Sequence, residues 1–147
     1  MPELPGPDSK HPARLAAWRS ADAVARGDRE AWLDNFAEDA VLEDPVGPSY
    51  LDPEGRGHRG REAIAKFWDT YIANARPMFS LTASYACGNE CANVGSLTTQ
   101  MANGAAGLIN GVFVYRVDDA GKVLSLRTFW ETDDMKMFPP FEERAKS

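Results

Sequence analysis

Cysteine is scarce in this sequence, with two in 147 residues. That excludes a disulfide scaffold, and neither the cysteines nor the two histidines show zinc-ligand spacing. Long apolar runs are missing as well, so no membrane-crossing helix is expected. Basic residues are in deficit, 16 Lys and Arg against 22 Asp and Glu, which leaves a net charge of −6. A nucleic-acid backbone or an anionic membrane is repelled by that average field. The opening Met-Pro-Glu-Leu-Pro-Gly-Pro-Asp lacks the charged-then-apolar pattern of a signal peptide. We therefore expect a cytoplasmic protein with no metal, no organic cofactor and no nucleic-acid or membrane partner. What is present is 44% hydrophobic residues, enough for one compact core at this length.

The pattern along the chain divides it into a flexible arm over 1–11, a single domain over 12–134 and a tail over 135–147. Pro12 suits the first turn of a helix, and Leu15, Trp18 and Val24 give that helix an apolar face as far as about Arg26. Gly27 is a helix stop and Asp28 an N-cap for a short second helix with Trp32, Leu33 and Phe36 as its buried stripe. Ala40 to Asp44 reads as a short strand ended by Pro45. Residues 45–60 hold three Pro and four Gly, an irregular loop long enough to suspect a function. Ile64, Phe67, Trp68, Tyr71, Ile72 and Ala75 follow helical spacing, which predicts a third helix bounded by Pro77.

After Pro77 the period changes to two. Strands are expected over 79–86, 92–101, 108–117 and 123–131, with turns at Cys87 to Cys91, at Asn103-Gly104 and at Asp118 to Gly121. Helices first and an antiparallel meander later argue an α+β fold. The tail carries Met135, Met137, Phe138 and Phe141 and is too apolar to be left free.

Three segments carry a family resemblance. Asp39-Ala40-Val41-Leu42-Glu43-Asp44-Pro45-Val46-Gly47 looks like the segment that bears the catalytic base of ketosteroid isomerases. Gly60 to Trp68 is similar to their third helix, and Ala120-Gly121-Lys122-Val123 with Arg127-Thr128-Phe129-Trp130 to their last hairpin and strand. The chain from about Pro12 to Glu131 thus resembles the ketosteroid isomerase and SnoaL-like group of the nuclear transport factor 2 superfamily. The resemblance implies a cystatin-like cone, with three N-terminal helices packed in a curved antiparallel sheet that encloses an apolar pocket. It makes Asp44 the general base that takes a proton alpha to a ketone carbonyl. A carboxylate facing an apolar pocket loses hydration, so its pKa rises, which suits a group that must take and return a proton. Read locally, Asp44 before Pro45 is also an ordinary turn residue.

The family's two donors to the enolate oxygen, a tyrosine and a protonated aspartate, are not matched. By position the tyrosine falls on Ser20 and the aspartate on Phe113, and a supporting tyrosine falls on Trp68. The resemblance therefore implies an altered oxyanion hole, and loss of one such donor typically costs about 100- to 1,000-fold in rate. Trp18, Trp68, Tyr71 and Trp130 each carry a donor on an apolar body, so they are either ligand contacts or core aromatics; at least two are expected at the cavity. Residues 113, 115 and 117 share one strand face, which adds Phe113 and Tyr115 to the candidate ligand contacts, while Asn110 points away unless Gly111 makes a bulge. His58 reads as an exposed loop residue or a rim acid. A pairing of Asp44 with Asp52 as acid and base, a phosphate cradle before the third helix, and a Cys87–Cys91 disulfide in place of two thiols are further readings.

The function expected is that of a steroid Delta-isomerase-like protein acting on a steroid or similar polycyclic ketone. The alternatives are a non-catalytic binder of steroids or other hydrophobic small molecules, a SnoaL-like polyketide cyclase, and an interaction module. Val112, Val114, Arg116, Arg127 and Phe129 fall on the outer face of the last two strands, a surface suited to a homodimer.

Overall fold

The computed structural model describes residues 3–140. Its elements are α1 (Pro12–Arg26), α2 (Arg29–Asp34), β1 (Phe36–Glu43), β2 (His58–Arg59), α3 (Gly60–Phe67), β3 (Ala75–Cys87), β4 (Glu90–Met101), β5 (Ala106–Val117), β6 (Val123–Phe129) and β7 (Lys136–Phe138). The strands form one sheet in the order β2-β1-β6-β5-β4-β3, with β7 added to the start of β5. The α+β meander expected from the sequence is present, but the sheet is mixed: β1 runs parallel to β6.

The helix boundaries follow local chemistry. The ring of His11 caps α1 by accepting from the N–H of Ala13, with Pro12 in the first turn, and its other nitrogen bridges to the Gly88 carbonyl at 2.9 Å. Gly27 ends α1 in the left-handed region at φ 67°, and Asp28 caps α2 through the N–H of Ala31.

Two boundaries differ from expectation. Phe36 begins β1 rather than closing the stripe of α2, because Asn35 ends that helix and binds back to the Ala16 carbonyl at 2.8 Å. The third helix is shorter than its periodicity: α3 stops at Phe67, a π-helical turn spans Trp68–Ile72, and β3 has begun at Ala75. Pro77 therefore lies inside a strand. It is tolerated there because β3 is an edge strand, where a missing N–H need not break a ladder.

The curl of the sheet has a local cause. Gly95 and Gly111 are cross-strand partners. A Cβ on Gly95 would run into the Ser80 carbonyl, and one on Gly111 into that of Phe129. Only glycine lets neighbouring strands close over that face. No bulge turns Asn110 inward; it is exposed and lines an outer groove of mixed character with Val46, Phe129, Glu131 and Lys136.

α1 and α3 fill the concave side, and the core runs through Ala13, Ala16, Trp32, Phe36, Leu42, Ile64, Phe113, Val117 and Val123. Residues 3–11, expected as a flexible arm, follow a defined course: Gly6 and Ser9 close a turn, Ser9 is buried, and Leu4 and Pro5 lie beside Trp18. In the tail, Met135 packs on the core and β7 pairs with β5; Phe141 lies outside the described residues. Cys87 and Cys91 are free thiols. The hairpin register opposes Cys87 to Glu90 and Ala86 to Cys91, so the two thiols fall on opposite faces, which is the reason no disulfide joins them.

Candidate functional site

A cavity of about 380 Å³ lies between α1, α3 and the concave face of the sheet. That volume falls in the usual range for small-molecule sites, about 300–1,000 Å³. Leu42, Phe67, Ile72, Phe79, Ile109 and Leu126 make its walls apolar, and Met135 and Met137 from the tail line it near β5. A few polar groups interrupt those walls, and among the described residues Asp44 is the charged one.

Asp44 follows β1 directly, and its peptide bond to Pro45 is cis. It sits two residues beyond Leu42, whose side chain is buried on the concave face, so strand alternation turns Asp44 the same way. The Thr128 hydroxyl donates to Asp44 Oδ1 at 2.5 Å and the Trp130 indole N–H donates to the same oxygen at 2.9 Å. Trp130 also reaches Thr128 Oγ1 at 3.1 Å. Both bonds fall on Oδ1, which fixes the carboxylate while Oδ2 accepts none among the described residues. Burial pushes the Asp44 carboxyl above the ordinary carboxylate range, and the bonds from Thr128 and Trp130 and the charge of His58 oppose that shift in part.

Of the other residues singled out from the sequence, Ser20, Tyr71, Tyr115 and Trp130 line this cavity with Asp44. Trp18, Trp68 and Phe113 do not. Trp68 is buried against Trp32 with ring centroids 5.2 Å apart, because its helical face meets the core and not the opening. Phe113 packs edge-on against Phe79 at 5.2 Å. Trp18 faces a smaller depression of about 260 Å³ with Leu4, Pro5 and Asn93, on the other side of Phe79 and Tyr115.

His58 is neither at the rim nor in an open loop: it pairs with Leu42 in β2, is half-buried, and its ring meets Phe67 at 5.0 Å. Asp52 is no partner for Asp44. Its carboxylate accepts from the Gly57 N–H at 2.8 Å and holds the 45–60 loop in shape. The N-cap Arg59 of α3 makes no side-chain cap bond, and α3 packs on β1 through Arg61, which donates to the Phe36 carbonyl at 2.6 and 3.0 Å.

Sequence reasoning missed Tyr50 and Leu51, which the 45–60 loop brings to the cavity, and Trp32, Phe67, Met135 and Met137. An aromatic-aliphatic pair inside a Pro- and Gly-rich loop was the available signal for the first two. Among the described residues no group of His, Cys, Asp and Glu forms a metal-binding cluster, and no helix is long and apolar enough to cross a membrane.

Residues 17–126 match the SnoaL-like domain family. A steroid Delta-isomerase from Nocardioides simplex is 33% identical over 126 residues, covering 86% of this chain and 95% of that protein. The crystal structure of Delta 5-3-ketosteroid isomerase from Mycobacterium sp. superposes with a TM-score of 0.84 at 39% identity, covering 87% of this chain and 99% of that one. RV0760c from Mycobacterium tuberculosis, solved in complex with estradiol-17beta-hemisuccinate, gives a TM-score of 0.82 at 36% identity, with 86% and 99% covered. With a curled sheet around an apolar cavity, a half-buried carboxylate in its wall and these relatives, the chain belongs to the SnoaL-like, ketosteroid isomerase-like family of the nuclear transport factor 2-like fold.

Proposed function

We propose that this protein transfers a proton alpha to the carbonyl of a steroid or similar polycyclic ketone, with Asp44 as general base. The observation that carries the reading is that, among the described residues, one carboxylate stands on an apolar cavity wall, gripped at Oδ1 and open at Oδ2. Such a group is desolvated enough to be basic and fixed enough to meet one carbon of a rigid ligand. The relatives support the substrate class: two are steroid isomerases and one is solved with an estradiol derivative.

A second reading is a steroid-binding protein without efficient turnover. Ser20 and Phe113, standing where the family resemblance places two polar donors, favour it. One assay separates the two. A beta,gamma-unsaturated ketosteroid is followed by the ultraviolet absorbance of the conjugated enone for wild type and Asp44→Asn. Turnover by wild type that Asp44→Asn lacks supports the isomerase. Quenching of tryptophan fluorescence by steroid with no enone formed supports the binder, since Trp32 and Trp130 line the cavity.

The homodimer belongs to the same proposal. Phe129, 41% exposed, lies on the outer face with the half-buried Val112 and Val114 and under the Arg127 guanidinium. A sedimentation mass of one chain at high protein concentration overturns it.

A further inference from the structure

We propose that Tyr115, positioned by Ser20, donates the hydrogen bond that holds the ligand's carbonyl oxygen at the closed end of the cavity. This rests on Asp44 as the base and assigns the other half of the site. Sheet register supplies the geometry. Leu42, Leu126, Tyr115 and Cys91 form one row across β1, β6, β5 and β4. Asp44 lies two residues along from Leu42, in the direction of Thr128 and Phe113 and hence nearer the open end, where Ala106 and Gly107 line the cavity. That offset is about 7 Å along the strands, room for one ring. A ketone entering carbonyl-first therefore presents its oxygen to Tyr115 and the adjacent carbons to Asp44.

Burial separates Tyr115 from the other phenols in the wall. It is 3% exposed, against 37% for Tyr71 and 63% for Tyr50, which stand at the mouth. A donor excluded from water interacts most strongly with developing charge. The indole N–H of Trp130 and the hydroxyl of Thr128 are already committed to Asp44.

Ser20 on α1 is also buried and lines the same cavity as Tyr115, and its hydroxyl acts to lower the Tyr115 pKa, the direction expected of a donor to the phenol oxygen. With the serine hydroxyl donating to the phenol oxygen, the phenol proton is turned to the ligand. Burial raises the Tyr115 pKa well above that of an ordinary phenol, so it stays a donor at every working pH.

The step balances within these groups. Asp44 Oδ2 takes the alpha proton, the C–H electron pair forms a C=C bond to the carbonyl carbon, and the C=O π pair moves onto the carbonyl oxygen. Tyr115 holds that oxygen without giving up its proton. The oxygen pair then re-forms the carbonyl, the enolate double bond shifts one carbon along, and the displaced π pair takes the proton back from Asp44 at the gamma carbon.

The test uses the purified full chain and two readouts. In the enone assay, Tyr115→Phe is expected to lower kcat about 100- to 1,000-fold with little change in KM. Ser20→Ala is expected to lower it less, with Ser20→Thr restoring it. Independently of turnover, 2-naphthol and naphthalene are titrated by fluorescence. Wild type and Asp44→Asn are expected to favour the naphthol by about tenfold or more, as a buried hydrogen bond allows, and Tyr115→Phe to lose that preference.

A wild type that turns over ketosteroid while folded Tyr115→Phe matches its kcat overturns the donor and leaves Asp44 standing. A wild type without turnover that prefers naphthol only when Tyr115 is present overturns the isomerase and keeps the donor. A wild type with no preference for naphthol overturns the donor outright. If Tyr115→Phe does not fold, Ser20→Ala decides: kcat and naphthol preference both unchanged overturn the proposal.

Discussion

The two faces of β5 and β6 differ residue by residue. On the concave side Phe113, Tyr115, Val117, Leu126 and Thr128 are all buried. On the convex side Arg116, Arg127 and Phe129 are exposed, and Arg127 reaches Glu43 at 3.1 Å at the surface. The backbone, the hydrogen-bond ladder and the average composition are shared, and only the parity of the residue number changes. Yet one face leaves a carboxylate desolvated and the other leaves an ion pair in water. A charge placed inward acquires a shifted pKa and a fixed geometry. A charge placed outward is screened and contributes little.

The sharpest way to break this contrast is to remove the inward charge. Asp44→Asn is expected to cost about 100- to 10,000-fold in enone formation, the usual range for a lost general base. It should also raise thermal stability at neutral pH. The folded-state pKa of Asp44 is raised, so the stability tied to this group is fully present at low pH and is lost as pH rises through that pKa. Thermal melts of both proteins across pH check this: the advantage of Asp44→Asn should close on acidification. In the same window wild-type kcat/KM should fall, because the protonated carboxyl is no longer a base.

Next in size is the packing contrast between neighbours. Leu126→Ala removes a side chain that is 6% exposed and should cost about 2–5 kcal/mol in urea unfolding. Arg127→Ala, one residue on, should stay within about 0.5 kcal/mol. Equal losses would mean that the two faces are not what their burial indicates.

Thr128→Val sharpens the electrostatic half. It removes one of the two bonds on Asp44 Oδ1 while keeping shape. The Thr128 bond lowers the Asp44 pKa, so the acid limb of the rate profile should move to higher pH in the variant. An unmoved limb would separate Asp44 from the observed titration.

The smallest effect concerns the cysteines. Burial pushes the Cys91 thiol up to about 11, while Cys87 is exposed. A thiol reagent in mildly alkaline buffer should label Cys87 and spare Cys91 until the protein is unfolded, read by peptide mass.

Much of this fold was legible. Gly27, Asp28, the Asn103-Gly104 turn and the period of two after Pro77 act through their own backbone preferences, which do not depend on distant contacts. What failed was decided at a distance. The apolar spacing of Trp68 to Ala75 is as good as that of α3, but the chain there tightens into a π-helical turn and leaves for the sheet edge. Strand parity pointed Tyr115 inward, yet it put Phe113 inward too and did not show that one would line the cavity and the other the core.

By itself the sequence determined the class of fold, the parity of the strands and the carboxylate at the end of β1, because these follow from side-chain period, turn residues and one local motif. Only the tertiary structure decided which aromatics face the cavity, that the 45–60 loop and the tail close its walls, and that Ser20 and Tyr115 line the same cavity. Those contacts join segments far apart in the chain, and the curl of the sheet at Gly95 and Gly111 sets their distances.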